Sequence, residues 1–129
     1  MADRPTQREA FRFPADLRMR CRDDFHRAFR SGARLADGRL TVWADHNGLE
    51  YSRLGTVVGR KYGGAVQRNR IKRMLREAFR LNRGKLPAGL DLVCAPRAGI
   101  EISLTDLAKS LTQLTIRLQK QLAKRGATA

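Results

Sequence analysis

The chain has 129 residues, with 27 Lys and Arg against 12 Asp and Glu, a formal net charge of +15 and 42% apolar residues. That length most often folds as one domain, no apolar run approaches the ~18 residues of a membrane span, and the Arg-rich, acid-containing start lacks the apolar core of a signal peptide. A cytoplasmic protein with no membrane association and a polyanionic partner is the expectation, and the two cysteines, Cys21 and Cys94, fit a reducing compartment in which they stay unpaired.

Residues 1–16 mix Arg, Pro, Gln and Ala without a sustained period and are expected to form a flexible basic extension. Asp23 or Asp24 can N-cap a short helix that carries Phe25 and Phe29 on one face and ends at Gly32, read as the left-handed residue just past a helix. From Arg39 to Asp45 the chain alternates, with Leu40, Val42 and Ala44 on one side and Thr41, Trp43 and Asp45 on the other, as in a half-buried strand. His46-Asn47-Gly48 contains a turn signal, and Tyr51–Val58 reads as the antiparallel partner of that strand in a meander. Gly59–Gly64 is a basic loop; Gly63-Gly64 either lets backbone approach phosphate or is a plain flexible turn.

Residues 65–81 carry the strongest signal. Stepping about 100° per residue, Ile71, Met74, Leu75, Ala78 and Phe79 gather into one arc, while Asn69, Lys72, Arg73, Arg76 and Arg80 fill the other side. Residues 59–85 hold ten basic side chains and one acidic one, Glu77, so nine of the fifteen net charges sit in this stretch. A solvated surface usually mixes both signs; a cationic face this concentrated points to nucleic acid. After a loop over 82–89, Leu90–Ala95 is a short apolar strand stopped by Pro96. Leu104, Leu107, Leu111, Leu114, Leu118 and Leu122 then mark an amphipathic helix, opened by Ser103 with Asp106 three later and ending near Gly126.

Groups for catalysis are scarce. His26, His46, Cys21 and Cys94 lack metal-ligand spacing, the carboxylates are scattered apart from Asp23-Asp24, and no nucleophile motif is present. Aromatic rings beside cations hold single-stranded nucleic acid. Phe25, Phe29 and Trp43 are therefore candidates for the walls of one cleft, with core packing as the competing role for the two phenylalanines.

Arg68-Asn69-Arg70-Ile71-Lys72-Arg73, preceded by Gly63-Gly64-Ala65-Val66 and followed by Arg76-Glu77-Ala78-Phe79, resembles the Arg-Asn-Arg helix of the bacterial ribonuclease P protein subunit. Arg20–Gly32 resembles that family's first helix with its two phenylalanines, and Gly55–Lys61 its strand and basic turn. Coverage runs from about Leu17 to Leu122, a single domain over 17–122 with a tail over 123–129. The resemblance implies a small two-layer α+β domain, similar to the second domain of ribosomal protein S5. Its central, mostly antiparallel four-stranded sheet carries three helices and a left-handed βαβ crossover enclosing the arginine helix.

It also implies an accessory role in an endoribonuclease whose catalyst is RNA, cutting the 5′ leader from precursor tRNA. Magnesium is held mainly by the RNA, the partners are that RNA and precursor tRNA, and no obligate protein partner is expected. By position, Arg60, Lys61, Arg68, Asn69, Arg70, Lys72 and Arg73 match residues that dock on the RNA, and Phe25, Phe29, Trp43, Lys72 and Arg76 match the leader cleft. Trp43 stands where relatives usually carry tyrosine or phenylalanine. Gly59 and Gly64 stand where serine and asparagine are common. A ribosomal-type RNA-binding protein and an autonomous nuclease are the rival classes.

Overall fold

The structure, a computed structural model, describes residues 17–128, so the extension expected over 1–16 lies outside the described residues. In chain order these form α1 (Arg22–Ser31), β1 (Ala33–Ala36), β2 (Leu40–His46), β3 (Arg53–Thr56), α2 (Ala65–Leu81), β4 (Leu90–Pro96) and α3 (Leu104–Thr128), with single 3₁₀ turns at Arg60–Tyr62 and Arg83–Lys85. The strands make one mixed sheet in the order β1-β2-β4-β3.

β4 is apolar at nearly every position and buried on both faces, which requires a central place in the sheet. It pairs antiparallel with β2, from Leu40 opposite Pro96 to His46 opposite Leu90. The meander expected after β2 does not form. β3 is shorter than the 51–58 segment and runs parallel to β4, from Arg53 opposite Asp91 to Thr56 opposite Cys94. With one edge of β2 taken by β4, the other pairs with β1, a strand that sequence periodicity does not announce. The β1–β2 hairpin is closed by Asp37, whose Oδ1 accepts the Arg39 N–H at 2.8 Å and the Leu40 N–H at 2.9 Å.

The alternation in β2 and β4 separates two cores. Leu40, Val42, Ala44, Leu90, Leu92 and Cys94 face α2 and α3, meeting Leu75, Ala78 and Phe79 of α2 and Leu107, Leu111, Leu114, Leu118 and Leu122 of α3. Trp43 and Val93 face the other way, against Phe25 and Ala28 of α1 and Met19. The sheet thus bears α2 and α3 on one face and α1 on the other. α3 opens as its sequence indicates, with Ser103 Oγ accepting the Asp106 N–H at 3.1 Å, and continues through Gly126 to Thr128.

α1 differs from expectation at both ends. Its N-cap is Cys21 with no side-chain cap bond; Asp24 is engaged elsewhere, as described below. Gly32 has φ −74°, an ordinary value. Glycine is needed there for space: a Cβ would lie 2.4 Å from the Ala28 carbonyl oxygen and 2.7 Å from that of Ala44, because the helix end is pressed onto β2. Gly32→Ala should destabilise the protein by about 1–3 kcal/mol, read as a lower urea midpoint with an unchanged slope.

The two thiols differ in the same physical terms. Cys94 is fully buried, and desolvation pushes its thiol from 9.0 up to about 12, whereas Cys21 is exposed. Native protein at pH 8 should therefore react with one equivalent of a thiol reagent, at Cys21, and with a second only on unfolding. Because the folded state holds the Cys94 proton more tightly, this contribution to stability is present below pH 9.0 and is lost as pH rises toward about 12. Denaturation midpoints across that window check the sign.

Candidate nucleic-acid interface

α2 is held from one side only. Leu75, Ala78 and Phe79 are buried and Ile71 and Met74 half-buried, which leaves Asn69, Arg70 and Arg73 exposed. Arg60 and Lys61 are exposed on the 3₁₀ turn before the helix, where the Lys61 Nζ lies 5.4 Å from the Tyr62 ring centroid and the Tyr62 hydroxyl donates to the Pro96 carbonyl. That last bond fixes the basic turn to the end of β4. Arg68, Lys72 and Arg76, all half-buried, follow one another at four-residue spacing and form one row on a flank of the helix. The Arg68 Nε is buried without a hydrogen-bond partner among the described residues.

Glu77 does not neutralise this row. It binds Arg80 in a two-pronged contact, at 3.1 Å to Nε and 2.7 Å to Nη2. Hydrogen bonding from Arg80 holds the Glu77 carboxyl below its ordinary value. Arg80 therefore leaves the cationic face that the helical wheel assigns it to, and the rest of the stripe keeps its full charge.

The row ends at a cleft of about 280 Å³ along the outer edge of β3, lined by Arg18, Met19, Arg20, Phe25, Leu54, Thr56 and Arg76. Its floor is set by an extended segment before α1: Leu17 and Met19 are buried and the Met19 N–H donates to the Leu54 carbonyl at 2.9 Å, so Arg18 and Arg20 alternate outward. The Phe25 ring packs against Gly55, where a Cβ would come within 2.7 Å of it. Burial, and then the neighbouring Arg18, push the Arg76 guanidinium below its ordinary value. Like charges crowded this way favour an anion between them.

The structure brings only Phe25 and Arg76 of the five leader-cleft candidates into this lining. Phe29 and Trp43 meet each other instead, edge to face with centroids 5.0 Å apart, and Arg34 lies 5.7 Å from the Trp43 centroid. Trp43 is half-buried under α1, while Phe29 remains 42% exposed. Lys72 lies one turn along α2 from Arg76. Arg18 and Arg20 were missing from the candidates; the alternation of Leu17 and Met19 with the two arginines is the signal that marks them.

Arg53 ties α1 to the sheet. Its Nε donates to Asp91 Oδ1 at 2.8 Å and its Nη2 to Asp91 Oδ2 at 2.6 Å, while Nη2 also lies 3.3 Å from Asp24 Oδ2. Asn47 Nδ2 completes the shell of Asp91 at 3.1 Å. Hydrogen bonding to Asp91 holds the Arg53 guanidinium above its ordinary value, with Asp24 adding to it. Asp24 thus serves as an ion-pair partner and not as a helix cap. Among the described residues no group of three His, Cys, Asp or Glu side chains is placed to hold a metal ion, and no helix is long and apolar enough to cross a membrane.

A family model described as Ribonuclease P matches residues 13–119. The ribonuclease P protein component of Thermotoga maritima is 49% identical over 80 residues, 62% of this chain and 68% of that protein. That of Syntrophobacter fumaroxidans is 43% identical over 115 residues, 88% of this chain and 95% of that one. Among solved structures, the ribonuclease P protein of Thermotoga maritima superimposes with a TM-score of 0.71 at 39% identity, covering 78% of this chain and 96% of that chain. The Staphylococcus aureus protein gives 0.69 at 27% identity, covering 81% and 95%.

Asp91 is only 3% exposed, and removing Arg53 strands its charge. Arg53→Ala should cost about 3–5 kcal/mol, and adding Asp91→Asn should recover part of the loss. Urea denaturation of the single and double variants measures both.

Proposed function

Because the chain belongs to the ribonuclease P protein family, we propose that it assists a catalytic RNA in removing the 5′ leader from precursor tRNA, docking on the RNA through α2 and gripping the leader in the β3-edge cleft. The observation that carries this reading is the cleft itself, which Arg18, Arg20 and Arg76 line together with Phe25. Three cations and one aromatic face suit a single strand of phosphates and bases.

The work of such a protein is differential binding. Contacts to the leader exist in precursor tRNA and not in the mature product, so they favour substrate without touching the scissile bond. Arg60, Lys61, Arg68, Asn69, Arg70, Lys72 and Arg73 are the contacts assigned to the catalytic RNA. Phe29, being the more exposed of its pair, extends the leader path, with Trp43 backing it. The chain's described residues do not suit a resident magnesium ion; the RNA is its proposed holder. The working form is a cytoplasmic ribonucleoprotein of this one domain and the RNA, with no further protein required.

Reconstitution with a bacterial ribonuclease P RNA at low magnesium tests the reading. Protein should restore cleavage that the RNA alone loses, and protein without RNA should not cleave. Arg76→Ala should cost about 1.5–3 kcal/mol in affinity for precursor tRNA and leave mature tRNA unaffected. Arg68→Ala and Arg70→Ala should each lower the salt dependence of RNA binding by about 0.7–0.9 per lost phosphate contact. Cleavage by RNA-free protein, or equal losses for leader-bearing and leaderless RNAs, contradicts the proposal.

A further inference from the structure

Arg68 and Arg70 leave α2 about 200° apart, so only one of them belongs to the flank that leads to the cleft. On the flank of Arg70 lies a second and larger hollow of about 430 Å³, between the first half of α2 and the β4–α3 connection. Its volume falls in the ~300–1,000 Å³ range of small-ligand sites. Ile71, Met74, Ile102 and Leu107 give it an apolar floor, and Tyr62, immobilised by its bond to Pro96, supplies an aromatic wall. The connection that closes it is shaped by Gly99, whose φ of +82° disfavours side chains, and pinned by the Arg97 N–H donating to the Arg39 carbonyl at 2.8 Å.

The rim carries Arg70, Arg97 and Glu101, all exposed. Glu101 makes no ion pair with either arginine among the described residues. A carboxylate beside an RNA-binding helix repels phosphate, and nothing in the fold uses it. Arginines for phosphate, an apolar and aromatic slot, and one acceptor at the mouth are together what a splayed-out base requires. Single-stranded bases are bound by stacking and by hydrogen bonds to their polar edges, and a carboxylate accepts from an exocyclic amine.

We propose that this hollow takes one unpaired nucleobase of the catalytic RNA, with its flanking phosphates on Arg70 and Arg97 and its amino edge on Glu101. The assignment rests on the RNA-subunit reading above and deepens it: α2 grips the catalytic RNA by a base as well as by its backbone, on the side away from the leader.

The test uses the full chain and a bacterial ribonuclease P RNA, with chemical probing of base edges and equilibrium binding. Wild-type protein should shield one unpaired base that Glu101→Gln leaves reactive, with affinity for the RNA lowered about fivefold or more and the salt slope unchanged. The sign is the discriminator: if Glu101 merely faces phosphate or solvent, losing its charge tightens binding, and that result overturns the proposal. Ala98→Trp, placed in the lining, should abolish the same protection while leaving backbone protection along α2 intact. Should that variant not fold, Glu101→Gln decides alone. Protein that dimerises without RNA through this hollow, with the RNA footprint unaltered by either variant, overturns the assignment in favour of a second copy of the chain. Wild-type protein that fails to bind the RNA at all overturns the subunit reading itself, an outcome distinct from binding without a shielded base.

Discussion

A helix as cationic as α2 cannot be held by its own chemistry. Like charges at three- and four-residue spacing oppose helix formation, the one local acid is engaged with Arg80, and the N-cap, Gly64, offers no side-chain bond. What holds it is burial of Leu75, Ala78 and Phe79 against β3 and α3. The β3–α2–β4 connection follows from that constraint: parallel strands joined through the helix press its apolar side onto the sheet and leave the charged side bare. Tertiary packing here supports a local structure that electrostatics opposes.

The other face of the sheet solves a separate problem. Val93 and Trp43 require cover, and α1 supplies it. Its placement is set by three elements at once, since Arg53 on β3 reaches both Asp91 on β4 and Asp24 on α1. Gly32 lets the helix end touch β2, and Gly55 lets the Phe25 ring rest on β3. With α1 seated in this way, Phe25 comes to stand beside Arg18 and Arg76, although they come from separate parts of the chain.

Features written in periodicity were legible in the amino-acid order. The helices at 65–81 and 104–128 announce themselves through apolar spacing, Ser103 marks the start of the second, and the alternation around Trp43 places β2. Pairing was not legible. Residues 53–56 follow β2 after a turn, so local reasoning prefers a hairpin, but β4 arrives 34 residues after Thr56 and takes the place between them. Four residues of β1, with no β-branched side chain among them, carry no strand signal. Asp24 looked like a cap because Arg53, its partner, is distant in sequence. Within the candidate interface, the charge of α2 was evident from composition, and the alternation of Leu17 and Met19 with Arg18 and Arg20 was there to be read, but the edge contact with Leu54 that sets those arginines beside Phe25 and Arg76 was not.

The unopposed charge of α2 has a consequence for the protein when nothing is bound to it. Self-repulsion along the helix weakens the compact state whenever counter-ions are dilute, and any polyanion that seats on the folded surface but not on the unfolded chain adds to stability in proportion to its occupancy. Folding and assembly are therefore thermodynamically linked. Copies with no polyanion bound are the less stable population and the more open to proteolysis, so the amount of protein that persists rises with the supply of any polyanion that seats on its folded surface.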